Sequence, residues 1–193
     1  MPYQFKLSLC NEVFQNASFA DAAKVLRKAG YAGIEIAPFT LAQDASKITA
    51  AERRQYRGIM QSEGLQFVGL HWILVGPKDL HVTTPDRAVR ERSWEYIRCL
   101  VDLCADLGPD GVMIFGSPKQ RSTNGGLNRD EATSNFVEGL AKIAPHAAMR
   151  GVRVLVVLSP VDPPLEGRDV EHGCGRRVEE LSDQFPPNHR GGE

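Results

Sequence analysis

The residues with chemistry to offer fall at the ends of short apolar runs. Phe67 to Leu70 stops in His71 and Trp72, an imidazole able to hold a ligand or move a proton beside a large aromatic ring. Glu35 lies between Ile34 and Ile36 in the run GIEIA. In a strand its side chain points opposite to theirs, and a carboxylate inside a sheet needs a partner or a function. Asn11 and Glu12 follow another run, FKLSLC. The stretch GSPKQRSTNGG sets Lys119 and Arg121 among Ser117, Ser122 and Thr123, cations and hydroxyls suited to a hydroxylated or phosphorylated substrate through charge-assisted hydrogen bonds. Each has a plainer alternative: His71 as a hydrogen-bonded structural residue, Glu35 in a structural ion pair, Lys119 and Arg121 as solvated loop cations. His81 and His146 end no strand and read as surface or core histidines.

These residues are carried by a repeating unit of helix, glycine and short strand. The strands are read at 5–10, 33–37, 66–71, 111–116 and 152–158, each a β-branched or aromatic run bounded by turn residues. Between them, apolar residues recur at helical spacing: Phe19, Ala22, Ala23 and Leu26; Tyr56, Ile59 and Met60; Trp94, Ile97, Val101 and Cys104; Ala132, Phe136, Leu140 and Ile143. Ser18, Thr49 and Asn128 are expected N-caps, each with an acid three residues on, and Pro85 after Thr84 suits a first helical position. Gly30, Gly64, Gly108 and Gly151 follow the helices, 34, 44 and 43 residues apart, where a left-handed residue can close the last carbonyls.

A parallel βα array forms either an open doubly wound sheet or a closed (β/α)8 barrel. The first strand is followed by NEVFQNAS, without a glycine-rich phosphate loop, which favours the barrel. In both folds the strand C-termini share one face and its loops carry the chemistry, which is where His71 falls.

Composition excludes several functions. The 193 residues are 42% hydrophobic and 24% charged with net charge −1, and no basic block is present, so a nucleic-acid partner is not expected. No apolar run approaches the ~18 residues that span a bilayer, and the N-terminal stretch lacks the pattern of a signal peptide; the chain reads as cytoplasmic, with no membrane partner. Cys10, Cys99, Cys104 and Cys174 form no C-x-x-C pair and read as small buried hydrophobes.

The segments YAGIEIAPFTL, GLHWILVGPKDLHVTTPD and FGSPKQRST, in this order, resemble those of sugar phosphate isomerase/epimerase proteins with the xylose isomerase-like TIM barrel. The resemblance covers about residues 1–160. It implies a sugar or sugar-phosphate substrate and metal-assisted proton transfer, in which Mn²⁺ or Mg²⁺ polarises an oxygen while a carboxylate deprotonates the neighbouring carbon. It also implies that His71 contacts substrate, or a metal in the apurinic-site endonuclease branch, with Trp72, Glu35, Lys119 and Arg121 in the same pocket. The family's metal ligands begin with a glutamate near the end of the fifth strand, whereas VRVLVVLSP offers only apolar residues there. Tight metal binding and isomerisation by this chain alone are therefore not expected, and a catalytically inactive binding remnant is the alternative reading.

From Ser159 the sequence is rich in proline and glycine, and no sixth strand is read. The expected organisation is a partial barrel of about four and a half βα units over 1–158, followed by an irregular tail over 159–193. A whole barrel takes about 250 residues. The sequence therefore reads as a fragment, truncated or with its frame altered near residue 155, whose open sheet edges favour self-association. His172, Cys174 and His189 match no structural zinc spacing.

Overall fold

The computed structural model describes residues 5–14, 17–123 and 126–157. These belong to one compact unit, Met1–Leu158; the tail read over 159–193 lies outside the described residues. Five parallel strands, β1 (Ser8–Cys10), β2 (Gly33–Ile36), β3 (Gln66–Leu70), β4 (Val112–Phe115) and β5 (Arg153–Val156), form one sheet in the order of the sequence. The helices are α1 (Phe19–Lys28), α2 (Pro38–Leu41), α3 (Ala50–Ser62), α4 (Arg87–Leu107) and α5 (Arg129–Met149). A doubly wound sheet reverses its strand order at a switch point, and this one does not. The architecture is α/β with an open sheet, that of a partial barrel.

Alternation within each strand separates the two faces. Ile34, Ile36, Phe67, Met113 and Phe115 are buried in a core with Leu26, Met60, Leu100, Leu103 and Leu107 from the helices. Each such side chain contributes about 1.5–3 kcal/mol when removed from water. Ser8, Glu35, Val112, Ile114 and Leu155 alternate with these residues and lie on the opposite face, all at least partly exposed. Between β3 and β4 the backbones approach closely: a Cβ at Gly69 would collide with the Val112 carbonyl, so glycine is needed for this pairing.

The helix ends follow the sequence with two exceptions. Ser18, Thr49 and Asn128 cap α1, α3 and α5, the last two through reciprocal bonds with Glu52 and Glu131. Gly30, Gly64 and Gly151 have positive φ and close Schellman motifs, as where Tyr31 N–H donates to the Leu26 carbonyl. Gly108 instead has φ 178, an extended conformation open to any residue. A Cβ there would press on Phe67, so it is packing against β3 that restricts the position. At the start of α4, Asp86 rather than Thr84 is the N-cap and Pro85 lies outside the helix. The Asp86 carboxylate accepts from the amides of both Ala88 and Val89, which the Thr84 hydroxyl two residues earlier does not match.

Candidate functional site

The site is built where β1, β2 and β3 end. Asn11, 6% exposed, begins the tight 3-10 turn Asn11–Phe14 directly after β1. Its Oδ1 accepts from Ala37 N–H at 2.9 Å, and its Nδ2 donates to Thr40 Oγ1 at 2.7 Å. Thr40 in turn donates to the Ala37 carbonyl. This closed set of bonds ties the turn carrying Glu12 to the end of β2. On the other side of β2, His71 N–H donates to the Ile36 carbonyl at 2.9 Å, which extends the ladder one residue past β3 and fixes the root of the imidazole. Trp72 then takes a left-handed backbone, φ 55, and turns the chain away. Its ring lies 5.2 Å from that of His71, and its indole N–H is buried without an acceptor among the described residues. A buried donor left unpaired costs about 1–3 kcal/mol, and a non-glycine residue in this region adds strain.

Glu35 occupies the face opposite Ile34 and Ile36, as the alternation requires. Its Oε1 accepts from Ser8 Oγ at 3.1 Å, so its protein partner is a hydroxyl and not the cation of a structural ion pair. Glu35 is also the direct cross-strand neighbour of Cys10.

Three groups converge beside it. Ligand atoms of Cys10, Glu12 and His71 all lie within 4.8 Å of one another. Burial pushes the Cys10 thiol up to about 11; the backbone amides of Glu12 and Ala37 oppose this, while the charges of Glu12 and Glu35 add to it. The reading of the cysteines as buried hydrophobes holds for Cys104, but Cys10 and Cys99 are partly exposed. Cys10 is the residue that periodicity missed. The available signal was its place at the end of a strand, directly before Asn11 and Glu12.

Lys119 and Arg121 lie apart from this cluster, on the 3-10 turn Pro118–Arg121 after β4. No hydrogen bond or ion pair joins them to Glu35 or His71 among the described residues. Lys119 is exposed. Arg121 is half-buried, is lowered in pKa by burial, and donates from one of its five N–H groups to the Val157 carbonyl. His81 clasps the loops: its Nε2 lies 3.2 Å from Ser122 Oγ and its Nδ1 3.3 Å from Thr83 Oγ1, stitching the segment after β3 to the turn after β4. His146 pairs with Asp102 at 2.9 Å on the helical layer.

A concavity of about 430 Å³ also opens between α4 and α5. It is away from the strand ends, and its charges are satisfied along the helices by Arg87 with Glu91, Arg98 with Glu95 and Lys142 with Glu138. No helix among the described residues is long and apolar enough to cross a membrane.

Several solved structures share this fold. A D-psicose 3-epimerase determined in the presence of D-fructose superposes with a TM-score of 0.61 at 19% identity, covering 78% of this chain and 51% of that one. The 3-keto-D-glucoside 4-epimerase YcjR from E. coli gives 0.58 at 15% identity, covering 79% and 56%. A protein from Sinorhizobium meliloti 1021 gives 0.55 at 26% identity, covering 78% and 49%. The chain thus spans about half the length of these neighbours. No curated protein matches it. The profile of the family described as xylose isomerase-like TIM barrel matches residues 23–158, which includes every strand after β1 and the positions of Glu35 and His71. This match extends over most of the chain, and the protein belongs to the xylose isomerase-like TIM barrel family.

Proposed function

We propose that this chain is a sugar-binding protein of the sugar or sugar-phosphate isomerase and epimerase type. The observation that carries the reading is the pairing of the His71 ring with the Trp72 indole, whose buried N–H lacks an acceptor, at the C-terminal end of β3. A polyhydroxylated ligand matches the accessible parts of this pair: oxygens to accept from or donate to the partly exposed imidazole, and an apolar ring face to lie on the partly exposed aromatic surface. Glu35 accepts a ligand hydroxyl from the opposite side, and the exposed Lys119 serves a phosphate where one is present.

In this reading the family's divalent ion, Mn²⁺ or Mg²⁺, would polarise a sugar oxygen. The residues at β5 do not fit such an ion. Its face opposite the core carries Arg153 and Leu155, the latter 51% exposed, with Val157 just beyond. None of these is an oxygen ligand for a hard cation. No proton-transfer step is therefore assigned to these residues, and the chain by itself binds sugar without isomerising it.

The test is calorimetric titration with a ketohexose and with its phosphate ester, chelator present so that no metal contributes. Saturable binding should weaken about tenfold in His71→Ala, about 1.4 kcal/mol, with the far-ultraviolet dichroism unchanged. Absence of binding at tens of millimolar ligand, or a folded His71→Ala variant with unchanged affinity, would refute the reading.

A further inference from the structure

The cluster of Cys10, Glu12 and His71 is not explained by sugar recognition. A thiol, a carboxylate and an imidazole come from three separate points of the chain, the end of β1, the turn after it and the end of β3, with their ligand atoms within 4.8 Å of one another. Neither the Glu12 carboxylate nor the His71 ring makes a hydrogen bond or ion pair among the described residues. Two carboxylates, Glu12 and Glu35, act on Cys10 with like charge, and neither forms an ion pair among the described residues. The supports are rigid: Asn11 fastens the turn to Ala37 and Thr40, and the Ile36 carbonyl fastens His71. Preorganised backbone of this kind holds ligating side chains in place.

We propose that Cys10, Glu12 and His71 form a binding site for one borderline-soft divalent transition ion, Zn²⁺ being the natural occupant and Co²⁺ its spectroscopic substitute. Tetrahedral bonds of about 2.0–2.3 Å put ligand atoms roughly 3.3–3.8 Å apart, so a side-chain contraction of about 1 Å closes the set. One thiolate, one imidazole and one carboxylate select such an ion over Mg²⁺ or Ca²⁺, which take shells of six or more oxygens. Three protein ligands leave the fourth position to water or to a ligand oxygen at the mouth of the sheet. This site lies at the ends of β1 and β3 and involves no residue of β5. The proposal shares His71 with the sugar reading but does not depend on it: metal binding without sugar binding would uphold one and refute the other.

The experiment is titration of the full chain, in a Cys174→Ser background, with Co²⁺ under reducing, oxygen-free conditions. One equivalent should bind with micromolar or tighter affinity and give a thiolate-to-cobalt charge-transfer band in the near ultraviolet. The band should vanish in Cys10→Ser, and affinity should fall at least tenfold in Glu12→Gln and His71→Ala. As a measurement that needs no variant, Zn²⁺ should protect Cys10 from alkylation while leaving Cys99 as reactive as before, scored by peptide mapping. A band that survives Cys10→Ser, no band at saturating Co²⁺, or labelling of Cys10 that is indifferent to Zn²⁺ would overturn the proposal.

Discussion

The Ser8 hydroxyl donates to the Glu35 carboxylate at 3.1 Å across the first two strands. A single neutral donor leaves most of the carboxylate's acceptor capacity unused, at the sheet end where Cys10 and His71 also gather. Glu35→Gln keeps an oxygen for Ser8 while removing the charge. Stability should stay within about 0.5 kcal/mol of wild type, and ketohexose affinity should drop about tenfold, roughly 1.4 kcal/mol. A lowered melting temperature with unchanged affinity would make Glu35 a structural residue.

The orientation of Glu35 was legible in the sequence because a strand alternates with period two and both neighbours are isoleucine. The helix-ending glycines were legible where a positive φ is needed, at Gly30, Gly64 and Gly151, and misread at Gly108, where packing against Phe67 is the constraint. Cys10 was not legible. Apolar periodicity counts a cysteine as one more hydrophobe, and its neighbourhood depends on the ends of β1 and β3 closing over β2, which no local pattern encodes. The hydrogen bond of Arg121 was not legible for a similar reason: its acceptor, the Val157 carbonyl, lies 36 residues away.

Gly139 on α5 lies directly against the Trp94 indole, where a Cβ would overlap the ring. Trp94 has little room to yield, since its Nε1 donates to the Val82 carbonyl at 3.2 Å and its ring packs on Phe115 and Phe136. Gly139→Ala brings about 1 kcal/mol of helix propensity but overpacks the interface by about 1–3 kcal/mol. The overlap is with a ring fixed on three sides, so overpacking should win. A urea melt should show a net loss of about 1–2 kcal/mol; a stabilised variant would mean that the indole moves freely.

His81 gives the fold a dependence on pH. Burial depresses its pKa below the ordinary imidazole value of 6.5, and its ring partners Thr83 and Ser122 carry no charge to counter this. The unfolded chain therefore takes up the proton first. The stabilisation from neutral His81 is complete above 6.5 and is lost as pH falls from there toward the folded value. Urea midpoints should decline over that window, and His81→Gln should decline less. Identical slopes for the two proteins would show that the clasp between the loops does not titrate there.

The sheet edges make the final prediction. In the order β1-β2-β3-β4-β5, no described strand pairs with the outer side of β1 or of β5. Leu7, just before β1, is 60% exposed, and Leu155 and Val157 at the other edge are 51% and 45% exposed. Unpaired amides and carbonyls beside apolar side chains template pairing with another chain, and a charge placed on the edge suppresses it. Light scattering of this chain should give a mass that rises with concentration across the micromolar range. Leu155→Lys should shift it toward the monomer, because a lysine there would carry its charge into any joined surface. A monomer at all concentrations, with the variant indistinguishable from wild type, would show that these edges are blocked within the chain itself.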